Sequence, residues 1–294
     1  MSVKKLIIND ENEGRRLDNF LLSLFKNVPK TKIYKIIRKG EVRVNSSRTK
    51  PHYKLRINDL VRIPPIIDLN KNIKKNIKNE DVDIHMSDIL YEDQNFLIIN
   101  KKRGIVVHGG SKNLIGLIDI ARERYGDNID LCHRLDKNTT GCLVFGKNKK
   151  AVKHFNEALF DKKVTKIYQV ILKGNLHKDI NINTPIYKNK PENIKKSLSK
   201  FKIIKILREC TFAEVQIYTG RTHQIRIHSS SINHPVLFDN RYGDDEFNKS
   251  IKTSISKNIA LHSKSIVFKD LKLNVIEVNS PMPEEFQILI NELQ

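Results

Sequence analysis

The densest run of functional side chains is Leu131-Cys132-His133-Arg134-Leu135-Asp136-Lys137-Asn138-Thr139-Thr140-Gly141. Arg134 and Lys137 put cations on either side of Asp136 and favour its carboxylate form. A carboxylate can attack an electrophilic carbon or take up a proton. Thr139, Thr140 and Gly141 allow a sharp turn into the apolar strand expected over residues 143–145. The same spacing also fits an aspartate that only hydrogen-bonds its own turn. Local pattern does not separate the two.

A second polar run is Thr219-Gly220-Arg221-Thr222-His223-Gln224-Ile225-Arg226-Ile227-His228. Thr222 suits the N-cap of a helix spanning 222–233, and Arg221 and Arg226 then project near its start. There they can pair with a carboxylate or a phosphate, or simply be solvated. Two other patterns are decoys. Residues 141–148 follow a phosphate-loop spacing up to Lys147, but end in Asn148 and have an apolar strand for an interior. His223, His228 and His234 match no metal-ligand spacing, so no metal is expected.

These runs need elements to hold them. Residues 14–65 read as a compact unit. Leu17, Phe20, Leu21 and Leu24 form a helical stripe. A second helix after Pro29 turns Ile33, Ile36 and Ile37 inward and ends at Gly40. Lys32, Lys35, Arg38 and Lys39 fall on its outer surface. Short alternating strands are expected at 41–44, 54–57 and 60–63, with Arg43, Lys54, Arg56 and Arg62 on one face. Such a basic surface suits an RNA backbone. Residues 66–86 show no sustained period and read as a linker.

From residue 87 to 294 the texture changes. A hairpin is expected at 89–99, with strands at 143–145, 167–172, 201–207, 212–218, 266–268 and 273–278. Helical patterns occur at 114–125, 151–160 and 222–233. Strands outnumber helices and the βαβ alternation is missing, so an α+β domain on a mixed, mostly antiparallel sheet is expected.

The chain of 294 residues carries a net charge of +21, with 30% charged residues. Residues 1–80 contain 20 Lys+Arg against 8 Asp+Glu, a net of +12, so over half the surplus lies in just over a quarter of the chain. Nucleic acid is the usual match for such a surplus. Cys132, Cys142 and Cys210 fit no zinc pattern and, being odd in number, no complete disulfide set. That favours a reducing compartment. With no apolar leader and no 18-residue apolar window, a cytoplasmic protein without a membrane partner is expected.

HRLDKNTTG resembles the active-site motif of the RluA-type pseudouridine synthases. ILYEDQNFLIINK, GIVVHGG, KIYQVILKG, TGRTHQIRIH, NHPVLFDNRYG and LHSKSIVF resemble further blocks of that family, in order. Residues 14–65 resemble its small α-L RNA-binding domain, also found in a ribosomal protein. The resemblance implies a pseudouridine synthase fold over 87–294 that isomerises uridines in large-subunit (23S) ribosomal RNA. It implies Asp136 as nucleophile, Tyr168 stacked on the target base with a second role in removing the C5 proton left open, and Arg226 paired with Asp136. Arg134 would fill the gap left by the flipped nucleotide. Arg221, His223, Lys35, Arg38, Lys39 and Arg43 are expected to contact RNA. No cofactor, metal or obligate protein partner is implied, and a monomer is expected. Two departures from the family pattern are Asn100-Lys101-Lys102-Arg103-Gly104 and Thr139-Thr140-Gly141. Competing readings are a synthase of the same family with another RNA target, and a non-catalytic RNA-binding ribosome assembly factor.

Overall fold

In the computed structural model, which describes residues 3–25, 28, 30–65, 77, 79–109, 115–188 and 190–294, the apolar stripes of the N-terminal segment close on one small core. Ile8, Leu17, Leu21, Ile33, Ile37, Leu55 and Val61 are fully buried together. They belong to β1 (Lys4–Ile7), α1 (Leu17–Leu24), α2 (Lys30–Arg38), β2 (Arg43–Val44), β3 (Ser47–Arg48), β4 (Leu60–Ile63) and the turns between. The four strands pair antiparallel in the order β1-β4-β2-β3. Sequence pattern missed β1, which pairs with β4 and carries this unit to the N-terminal side of residue 14. Residues 54–57 are not a strand. Lys54 makes an isolated bridge to Arg16, and Asp59 closes the following turn by accepting from the Arg56 N–H at 2.9 Å.

The chain divides into two compact units, Met1–Asn76 and Ile77–Gln294. Part of the expected linker is structured. Residues 79–86 form α3 (Asn79–Met86), and Met86 is fully buried in the large core. The helix is mostly polar, and Val82 and Met86, one turn apart, pack on that core in place of a longer stripe. Residues 66–76 and 78 of that linker lie outside the described residues.

The large unit is built on one sheet. Its elements in order are β5 (Ile89–Glu92), β6 (Phe96–Lys101), α4 (Leu117–Tyr125), β7 (Asp130–Leu131), β8 (Thr140–Gly146), α5 (Lys149–Phe160), β9 (Thr165–Lys173) and β10 (Ile180–Ile182). A small hairpin follows, β11 (Ile186–Lys188) with β12 (Lys190–Lys195). Then come β13 (Ser199–Leu207), β14 (Cys210–Ile217), α6 (Gln224–Ser231), α7 (Asp245–Ser250), β15 (Leu261–Lys269), β16 (Val275–Asn279) and α8 (Glu284–Glu292). Sheet order is β10-β13-β14-β9-β15-β8-β6-β5, with β16 beside β15 and β7 beside β8. β15 and β8 run parallel; the other described pairings of this sheet are antiparallel, which agrees with the mixed sheet expected from sequence.

Strand periodicity of two assigns the cores. In β8, Leu143 and Phe145 enter one cluster while Cys142 and Val144 enter the opposite one beneath α5. In β9, Tyr168, Val170 and Leu172 join the first cluster and Ile171 a third, closed by α8. Tyr168 therefore stands on the same side of the sheet as Leu135 and Ile225, which flank Asp136 and Arg226 in sequence.

The parallel β8/β15 contact fixes the exit of the Asp136 loop. Gly141 has φ +104°, and a Cβ there would lie 2.2 Å from the Ser263 carbonyl oxygen. Only glycine meets both constraints. Beside it, the Thr140 hydroxyl lies 2.8 Å from His262 Nδ1, and His262 is fully buried. Burial pushes that imidazole down to about 4. Between about pH 4 and 6.5 the unfolded chain binds a proton that the folded chain refuses, so stability rises with pH across this window and is lost below it. Wild-type protein is expected to lose on the order of 2 kcal/mol more than His262→Gln between pH 7 and pH 5, read from urea midpoints. Equal losses in both proteins would refute a buried neutral His262.

Candidate active site

Asp136 sits in the loop between β7 and β8, and a buried lysine holds that loop from below. Lys101, at the end of β6, is 1% exposed. Its ammonium donates to the carbonyl oxygens of Lys102, Lys137 and Thr139 at 3.0, 2.8 and 2.9 Å. Burial pushes Lys101 down to about 7, with the nearby Asp136 acting against that. The Gly104 N–H also donates to the Lys137 carbonyl at 3.1 Å. The Thr139 N–H returns to the Asp136 carbonyl at 3.1 Å and closes a turn. Asp136 thus has the backbone of a turn aspartate, but its side chain points elsewhere.

That side chain meets Arg226. Arg226 Nη1 donates to Asp136 Oδ2 at 3.0 Å. The same guanidinium forks onto Asp239, Nε to Oδ2 at 2.7 Å and Nη2 to Oδ1 at 2.8 Å. Asp239 has no solvent-exposed side-chain surface and accepts further from the N–H groups of Arg241 and Tyr242 at 2.9 and 3.1 Å. Burial raises the Asp239 carboxyl, but these donors outweigh it and the net shift is downward. Burial likewise opposes the Arg226 charge, and the two carboxylates outweigh it and raise the guanidinium. A bidentate fork on one side fixes the plane from which Nη1 reaches Asp136.

The helix carrying Arg226 starts differently from the sequence expectation. His223, not Thr222, is its N-cap, with φ +55° in the left-handed region. The His223 side chain makes no cap bond; instead Gln224 Oε1 ties down the preceding loop, accepting from Thr219 Oγ1 at 2.6 Å and from the Arg221 N–H at 3.2 Å. This kink turns His223 toward the site. Its Nδ1 lies 3.0 Å from the Tyr242 hydroxyl, and its Nε2 3.7 Å from Asp136 Oδ1. Burial lowers His223, with Asp136 opposing and Arg226 reinforcing the shift.

Asp136 stands between two recesses. One, of about 150 Å³, is lined by Tyr168, Lys166, Leu261, Ile217, Arg221 and Arg226 among others. The second, of about 320 Å³, is lined by His108, Lys137, Asn138, Asn240, Lys257 and Asn258 with the Asp136 loop. Arg134 is exposed and borders both. Tyr168 is 6% exposed, and burial pushes its hydroxyl up, helped by Asp136. The ring is therefore a neutral phenol near neutral pH, suited to stacking rather than to serving as a ready base. Asp136, Tyr168, Arg226, Arg134, Arg221 and His223 all border the first recess. Asp239, Lys101 and Lys166 are not among the site residues expected from sequence. Asp239 falls outside every expected element, and the two lysines lie just beyond the strands expected at 89–99 and 167–172, whereas β6 extends to Lys101 and β9 begins at Thr165.

The three histidines of the rejected metal pattern have separate partners. His228 bonds Ser199 Oγ at 2.9 Å and the Thr184 carbonyl at 3.0 Å, and His234 bonds the Lys173 carbonyl at 2.7 Å. In the small unit, Lys35 and Arg38 are exposed on α2 and Lys39 in the turn just after it, while Ile33, Ile36 and Ile37 are buried. Register adds a second basic feature. Lys5, Arg62, Arg43 and Arg48 are successive cross-strand partners, so four cations form a row across one face of the sheet. Like charges so aligned repel, and a bound polyanion relieves that.

Comparison with known proteins gives concordant matches. The family described as RNA pseudouridylate synthase matches residues 95–231, and the S4 domain matches residues 15–61. Ribosomal large subunit pseudouridine synthase C of Pasteurella multocida is 35% identical over 100% of this chain and 94% of its own. The proteins of the same name from Buchnera aphidicola and Escherichia coli are 37% and 35% identical over 100% of this chain, covering 98% and 97% of theirs. Among solved structures, human RNA pseudouridylate synthase domain containing 4 superposes with a TM-score of 0.60 at 22% identity, over 73% of this chain and 96% of that one. Human RNA pseudouridylate synthase domain containing 1 gives 0.57 at 25% identity, over 67% and 83%.

Proposed function

This chain belongs to the RNA pseudouridylate synthase family, and from that premise we propose that it isomerises uridines of large-subunit ribosomal RNA to pseudouridine, with Asp136 as nucleophile and no cofactor. The observation that carries the site assignment is the Asp136 carboxylate, tethered by Arg226 at 3.0 Å at the mouth of a recess walled by Tyr168. The substrate class rests on full-length relatives named for the large ribosomal subunit, and on the S4 domain with its rows of cations.

The reaction breaks the bond from ribose C1′ to uracil N1, turns the ring, joins C5 to C1′, loses the C5 proton and protonates N1. Atoms and charge are conserved, so no redox partner enters. A stacked base hides its glycosidic bond, so the target nucleotide is turned out of its stack into the Tyr168 recess, and Arg134 fills the space it leaves. Tyr168 stacks on the uracil. Asp136 supplies negative charge to C1′ or the ring as the glycosidic bond breaks, and Arg226 fixes its direction. Arg221 and His223 contact the RNA near the recess, and Lys35, Arg38, Lys39 and Arg43 contact phosphates from the small unit. We further assign the protein to the cytoplasm as a monomer. Its three cysteines are buried free thiols, and no helix of the described residues is long and apolar enough to cross a membrane.

The substrate class is tested by offering unmodified 23S RNA, 16S RNA and bulk tRNA separately, then mapping the pseudouridines formed. Product confined to 23S RNA is expected; product only in another RNA would overturn the assignment. Replacing Lys35, Arg38 and Lys39 together with Ala is expected to weaken RNA binding. It should also reduce the slope of log affinity against log salt by about 0.7–0.9 per lost phosphate contact. Unchanged affinity and slope would refute the platform.

A further inference from the structure

On the reading that the Tyr168 recess receives the flipped uridine, we propose that Lys166 is a substrate contact. Its ammonium and the Arg221 guanidinium together receive an oxygen of the target nucleotide, either a uracil carbonyl or an adjacent phosphodiester oxygen.

Lys166 lies two residues before Tyr168 on β9 and so faces the same side of the sheet. It is 2% exposed, and its strand neighbours in register are the apolar Ile217 and Ile266. Its one hydrogen bond among the described residues is a long one, 3.5 Å to the Thr219 carbonyl. An ammonium has three donors. Two further polar atoms of the same recess, Arg221 Nε and Thr139 Oγ1, are buried without a hydrogen-bond partner among the described residues. Buried polar groups in folded proteins are nearly always paired, and an unpaired buried charge is costly. Three under-satisfied groups converging on one recess therefore point to a ligand rich in acceptor oxygens. Gly220 keeps the approach open, since a Cβ there would lie 3.3 Å from Lys166 Nζ. Burial and repulsion from Arg221 push Lys166 down to about 8, as expected of a cation still short of acceptors.

The isomerisation supplies what these donors lack. As the N1–C1′ bond breaks, its electron pair leaves with the ring and spreads onto the two carbonyl oxygens. It returns to carbon when C5 bonds to C1′, and the C5 proton passes to solvent. A fixed ammonium beside a carbonyl favours the charged ring over the neutral uridine, which speeds the step. A phosphodiester carries its charge throughout, so a contact there strengthens binding instead.

The experiment compares Lys166→Met and Lys166→Arg with wild type, using RNA tritiated at uracil C5. Single-turnover release at saturation, the dissociation constant for RNA and the melting temperature are measured. If the oxygen is a uracil carbonyl, Lys166→Met loses about 100-fold in rate with RNA affinity held. If it is a phosphodiester, affinity falls about tenfold with the saturated rate held, and the salt slope drops by roughly one. In either case Lys166→Arg recovers most of the loss, and Lys166→Met melts no lower than wild type, because it removes an under-paired buried charge. Unchanged rate and affinity in Lys166→Met overturn the proposal, as does a loss that Lys166→Arg fails to recover. Should Lys166→Met not fold, Arg221→Met is read by the same criteria, and its full activity and affinity would overturn the proposal. Release by wild type with no effect of these variants sinks this inference alone. No release by wild type sinks the reading on which it rests.

Discussion

Asp136→Asn is expected to lower tritium release from uracil C5 by about ten-thousandfold or more while RNA affinity stays within a few-fold of wild type. The size follows from removing the group that meets the reacting carbon. Losing a nucleophile in well-studied enzymes costs between ten-thousandfold and a millionfold. Asparagine keeps the shape and can still accept the 3.0 Å bond from Arg226 Nη1. The loop stays pinned by the Lys101 ammonium on the Lys137 and Thr139 carbonyls, which do not involve the Asp136 side chain. Folding is thus expected to be preserved, and the rate reports the missing charge. A variant that releases tritium within tenfold of wild type would remove Asp136 from the chemistry.

Arg226→Lys should lose activity and stability together. The guanidinium makes three hydrogen bonds to two carboxylates from one rigid plane. A lysine ammonium cannot reproduce a fork onto Asp239 and still reach Asp136. Asp239, fully buried, would keep the two backbone donors of Arg241 and Tyr242 but lose its bidentate partner. Weakening a buried ion pair in this way costs about 3 kcal/mol. Freed from its tether, Asp136 is displaced from its attack geometry, and a misplacement of about 1 Å costs on the order of 100-fold in rate. The two effects separate in Asp239→Asn, which keeps the shape of the anchor. There the saturated rate is expected to fall more than RNA affinity. Wild-type rate and melting temperature in Arg226→Lys would show that the tether does nothing.

The parts of this account readable in the sequence are those set by local pattern. Periodicity located α1, α2 and the long strands, and the alternation in β8 and β9 follows from their two buried faces. Asp136 stood out by the polar density of its loop, yet its neighbours also fitted a plain turn, and the Asp136 backbone does close one. The partner that gives its side chain a task, Arg226, is 90 positions away, so no local window contains the pair. Only family resemblance linked them beforehand. Asp239 was hidden because a buried anion beside Asn240 looks like a turn residue. Lys166 was hidden because it precedes the apolar run 167–172 that marks the strand, whereas β9 begins at Thr165 and lies inside the sheet. The cap of α6 was misread by one position because Gln224, not a short N-cap side chain, satisfies the loop donors. Residues 79–86 were read as linker because a mostly polar helix anchored by Met86 leaves little periodic trace.

The most direct measurement is the release of tritium from uracil C5 of unmodified 23S RNA by the purified protein with no added cofactor, with the Asp136→Asn protein alongside at equal concentration. Release by wild type, matched mole for mole by pseudouridine and lost in the variant, is the predicted result. No release by wild type, or release that survives the loss of the carboxylate, would contradict the account.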